Sequence, residues 1–200
     1  MSQTVGQWLG RSLVVAAAAL STGCANESFL GPDRASAASA PDWAATAATA
    51  PGSNRAVDLG ACAYLGAPEG SKLVFRVYAK GVQIYHWTGS GWSFDGPSAV
   101  LSADPMGRSL VGTHYAGPTW ESNSGGKVVG TLRDKCTPNP DAIPWLSLNA
   151  VATGPGIFHR VKFIQRVNTV GGMAPSNPGS FAGEEARVPY TTEYLFYRTR

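Results

Sequence analysis

From residue 57 to the C-terminus, short runs of β-branched and aromatic residues recur, each cut off within a few positions by Gly, Pro, Asn or Ser. No window in this part carries a sustained helical period with caps. That pattern predicts strands over residues 72–79, 82–87, 92–94, 98–102, 109–115, 127–133, 145–153, 158–169 and 191–198. Lys80-Gly81 and Gly89-Ser90-Gly91 read as the turns of a meander. Many short strands joined by Gly/Pro turns predict an all-β domain, an antiparallel β-sandwich or barrel. In residues 158–169, His159, Val161, Phe163, Gln165, Val167 and Thr169 form the set expected to face the core. Arg160, Lys162, Ile164, Arg166 and Asn168 form the opposite, basic face, a solvated surface or the lining for an anionic or sugar ligand.

The chain begins differently. Residues 1–25 have the pattern of a signal peptide, with Arg11 followed by an apolar run over residues 13–20 that is too short to span a bilayer. Leu20-Ser21-Thr22-Gly23-Cys24 resembles a lipobox, in which Cys24 would be the lipidation site. Ordinary cleavage near Gly23 and Ala25 is the alternative. Both readings predict an exported protein, either lipid-anchored in the cell envelope or secreted, touching membrane only through an anchor on Cys24. Residues 26–56 are rich in Ala, Ser, Thr, Pro and Gly and read as a flexible tether, leaving 57–200 as the domain. In an oxidising compartment Cys62 and Cys136 are most simply a disulfide, since neither has a partner at zinc-ligand spacing. The net charge is +3 with no block of Lys or Arg, which argues against a nucleic-acid partner.

Five strings stand out: Gly81-Val82-Gln83-Ile84-Tyr85; Gly112-Thr113-His114-Tyr115-Ala116-Gly117-Pro118-Thr119-Trp120-Glu121; Ala142-Ile143-Pro144-Trp145-Leu146; residues 164–175; and Val188-Pro189-Tyr190 leading to Tyr194-Leu195-Phe196-Tyr197. With these strings in this order, the chain resembles the uncharacterised family known as domain of unknown function 3455, from about Pro68 to Tyr197. The resemblance implies export and a compact β-rich domain, and it implies no activity. Some members carry a Cys two residues after the Gln-Ile-Tyr motif, where this chain has Trp87.

His114, Trp120 and Glu121 flank the Gly117-Pro118 turn. Together they would offer a base, an acid and a flat ring; alternatively Trp120 is core, His114 is structural and Glu121 pairs with Arg166. With Arg166 and Asn168 they make the candidate ligand site. No catalytic residue, metal site or cofactor is assigned. His86, His114 and His159 share no ligand spacing, and neither a Gly-x-Ser-x-Gly elbow nor a P-loop is present. Asp95, Asp104, Glu121 and Glu193 are the carboxylates from which a glycosidase pair would be drawn. The expected function is a non-enzymatic exported β-domain binding a glycan or other small ligand. A cell-envelope hydrolase using His114 and Glu121, or a structural or protein-interaction domain, are the alternatives. A glycan binder needs Trp rings open on one face, from Trp87, Trp92, Trp120 and Trp145. An enzyme needs polar groups converging in a cleft, and an interaction domain needs a broad apolar patch.

Overall fold

The computed structural model describes residues 57–199; the signal-like segment, Cys24 and the tether lie outside the described residues. Eight strands follow in order: β1 (Ser71–Trp87), β2 (Trp92–Ser102), β3 (Leu110–Tyr115), β4 (Thr119–Ser122), β5 (Lys127–Cys136), β6 (Trp145–Thr153), β7 (Phe163–Gly171) and β8 (Glu185–Thr199). Each pairs antiparallel with the next, and β8 returns to pair with β1, so the sheet closes into an up-and-down barrel. Of the two expected architectures, the chain forms the barrel. Its seam is long, running from Ser71 opposite Thr199 to His86 opposite Glu185.

Two expected strand ends are corrected. Lys80-Gly81 is no turn, because β1 runs straight through it. Gly81 is there for close approach: a Cβ on it would lie 2.2 Å from the Ser98 carbonyl oxygen of β2. Residues 158–162 precede β7 rather than belonging to it, and Arg160 adopts a left-handed φ of 67°. This turn lets Phe158 and Val161 fold into one end of the barrel. There Phe158 packs on Phe75 and Phe196, with centroids 5.6 and 5.2 Å away, and closes that end with aromatic rings. β4, absent from the sequence reading, completes the hairpin around Gly117-Pro118.

The main core is the barrel interior. Val77, Ala79, Leu101, Trp120, Val128, Leu148, Ile164, Tyr194 and Phe196 are among its members. A second cluster lies outside the wall, where Val57, Leu59 and Ala67 cover Phe163, Val167, Leu195 and Tyr197. The short 3-10 helix Gly60–Leu65 belongs to this covering segment. Cys62 in it forms the disulfide to Cys136 at the end of β5, with Cα atoms 5.8 Å apart. Gln165 donates to the Leu65 carbonyl at 2.8 Å from the same side. The two faces of β7 are therefore the reverse of the expectation. Phe163, Gln165 and Val167 turn outward beneath the covering segment, whereas Ile164 joins the barrel core.

Candidate functional site

The end of the barrel opposite the Phe158 plug is open over a cavity of about 340 Å³. Local folding builds its walls from each string singled out in the sequence. Gln83 and Tyr85 come from β1, alternating inward after Gly81. His114 and Trp120 face each other across the β3–β4 hairpin as register partners, beside Gly117 and Pro118. Ile143 and Pro144 come from the loop before β6, Arg166 from β7 and Tyr194 from β8. Two contacts hold that loop in place. The Ile143 amide donates to the Gly171 carbonyl at 3.0 Å, and Arg166 donates through Nε and Nη2 to the Pro144 carbonyl at 3.0 and 2.8 Å.

His114, Trp120 and Tyr194 form the floor. The imidazole stacks on the indole with centroids 4.3 Å apart, and Tyr194 meets both rings edge-on at 5.0 and 5.1 Å. His114 is buried, and its Nδ1–H donates to the Thr119 carbonyl at 2.8 Å. A carbonyl can only accept, so the proton sits on Nδ1 and Nε2 is left as an acceptor. Burial pushes this imidazole down to about 3, which keeps it neutral. Burial also raises the Tyr194 hydroxyl, so it stays protonated. The six-membered edge of Trp120 abuts Gly130, where a Cβ would lie 3.0 Å from Cζ3, so Nε1 faces away from that wall. Trp120 Nε1, Gln83 Nε2 and the Tyr190 and Tyr194 hydroxyls are buried without a hydrogen bond of good geometry. Tyr194 does lie close enough to Tyr190 and Arg166 to feel both. The Tyr85 hydroxyl, by contrast, donates to the Gly172 carbonyl at 2.6 Å.

Of the five candidate residues, the structure brings His114, Trp120 and Arg166 together in this cavity. Glu121 and Asn168 do not line it. Glu121 accepts from the Tyr115 hydroxyl at 2.8 Å and pairs with Lys127 at 3.1 Å, so the expected alternative of a Glu121–Arg166 pair does not form. The Tyr115 hydrogen bond first, and Lys127 beside it, hold the Glu121 carboxyl below its usual range. Asn168, in the left-handed region with φ of 52°, donates to Glu193 at 3.0 Å at the edge of a separate outer groove. The physical reason is strand alternation: Trp120 points inward, so its neighbour Glu121 cannot. Gln83, Tyr85, Ile143 and Tyr194 were not singled out as site residues, although each lies in a quoted string and a barrel register would have turned them to one end.

Among the described residues no Trp lies open at the surface. Trp87 and Trp92 pack edge-to-face at 5.4 Å, with Gly179 against Trp87 and Trp92 Nε1 donating to Asn177 at 2.9 Å. Trp87, Trp92 and Trp145 are half-buried, so the described residues present no fully exposed Trp ring. No three His, Cys, Asp or Glu side chains converge among the described residues. His86 instead meets Asp95 at 2.6 Å on the rim.

An eight-stranded up-and-down barrel, plugged at one end and open at the other over a polar-floored cavity, is the class that this fold and site define. Residues 101–198 match the model of the family described as Protein of unknown function (DUF3455), the family that the strings resemble. Four of the five strings fall within the match, and Gly81 to Tyr85 lies before it. No curated protein and no solved structure matches the chain.

Proposed function

We propose that this protein is an exported carrier or sensor domain that binds one small molecule in the open end of its barrel. The observation that carries the reading is convergence: five separated strings send side chains into one cavity, and among them Trp120 Nε1 is a buried donor without a partner. Buried polar groups are normally satisfied, so a buried donor left open on a cavity lining is one that a bound molecule can complete. Eight strands enclose an interior just large enough for side chains or one small ligand. The disulfide supports action outside the cytoplasm, where such bonds persist. A lipid anchor at Cys24 remains part of this proposal. The hydrolase reading is less well supported, since its acid and base do not share a cavity and His114 is too weak a base near neutral pH.

The test is a thermal-melt and tryptophan-fluorescence screen of the full chain against small metabolites and short glycans. At least one chemical class should raise the melting temperature and perturb the emission, because a ligand of the native state must stabilise it. Silence across the panel would move the reading to a structural or protein-partner role.

A further inference from the structure

We infer that the ligand is an organic acid, a small molecule whose carboxylate meets Arg166 while a flat apolar body lies among the mouth residues. This rests on the reading of the barrel mouth as a ligand site and adds the chemistry of its occupant. Of the buried polar atoms on the cavity lining, Trp120 Nε1 is a donor without a partner, whereas the Tyr194 hydroxyl lies against Tyr190 and Arg166, and Gln83 against Tyr190. Arg166 adds a half-buried guanidinium, and no carboxylate pairs with it among the described residues. A guanidinium withdrawn from water without a counter-charge is costly, and an incoming anion removes that cost. Two of its nitrogens are spent on the Pro144 carbonyl, which fixes the plane of the group beside the Tyr194 hydroxyl.

The rest of the lining agrees. The one acidic residue around the cavity, Asp95, is tied to His86 on the rim. His114 brings no second cation, because its proton is committed to the Thr119 carbonyl and its ring is neutral. Ile143, Pro144, Leu146, Leu148 and Phe94 supply apolar walls, and the volume of about 340 Å³ is at the small end for ligand pockets. A ring-sized acid fits this balance of one guanidinium and apolar walls.

The experiment titrates the unmodified full chain with carboxylates and their uncharged amides as matched pairs, phenylacetate against phenylacetamide and a wider set of aromatic and sugar acids treated alike. Acids should bind at least tenfold more tightly than their amides, with the Trp120 indole N–H resonance moving on binding. Arg166→Gln, which also loosens the Pro144 loop, should lower acid affinity at least tenfold more than it lowers amide affinity, with Arg166→Lys in between. Amides that bind as well as acids would overturn the acid while leaving the ligand site standing. Acid binding indifferent to Arg166→Gln would overturn it too. Should neither series bind, the acid is overturned, while the ligand reading stands or falls on the wider metabolite and glycan panel.

Discussion

At the scale of single residues, the telling feature is a histidine that burial has disarmed. An unfolded chain takes up a proton at His114 near pH 6.5, whereas the native ring does so only near 3. Between those values the unfolded state holds the extra proton, so stability is full above about 6.5 and falls as the solution is acidified. The slope approaches about 1.4 kcal/mol per pH unit. Urea melts at pH 7 and 4.5 should show this acid limb, and His114→Phe should flatten it while keeping the stack on Trp120. Trp120 itself is 1% exposed and touches His114, Tyr194 and Phe196. Its truncation to Ala should cost about 3–5 kcal/mol by the same measurement. The sequence made His114 and Trp120 legible as a pair because they flank a recognisable turn. It misassigned Glu121, because adjacency in sequence is opposition in a strand.

Strands show which signals travel from sequence to structure. Alternation marked most of the wall correctly, as in residues 109–115 and 145–153, because those strands have one side in the barrel and the other facing water. β7 misled for the opposite reason. Both of its sides are covered, so Arg166 on the inner side made the interior look like the surface. β4 has only four residues between a Gly-Pro turn and a Ser/Gly-rich loop, too few for a period to register. Gly81 was read as punctuation, since Gly more often ends a strand than permits one to pass closely beside another. Its real role predicts that Gly81→Ala destabilises by about 1–3 kcal/mol or more, since the Ser98 carbonyl in its way is backbone and cannot rotate aside. Chemical denaturation of this variant beside an Ala substitution at an exposed loop glycine would check it.

In the molecule as a whole, two cores answer to different constraints. The interior cluster is built by the barrel alone, whereas the outer cluster depends on residues 57–67 staying against β7 and β8. The disulfide spans 74 positions and secures that outer layer. Reduction should therefore lower stability by about 2–5 kcal/mol. It should spare the near-ultraviolet circular dichroism of the Trp120 stack, provided the barrel remains folded. Topology was legible only as far as all-β, because alternation fixes strands and says little about which first and last strands meet. That meeting has a consequence for how the molecule breathes. In an open sheet the outermost strands shed their amide protons to solvent first, and here no strand is outermost. Deuterium should thus enter β1 and β8 at the seam as slowly as it enters β2 or β6, and only through a rupture of the whole ring.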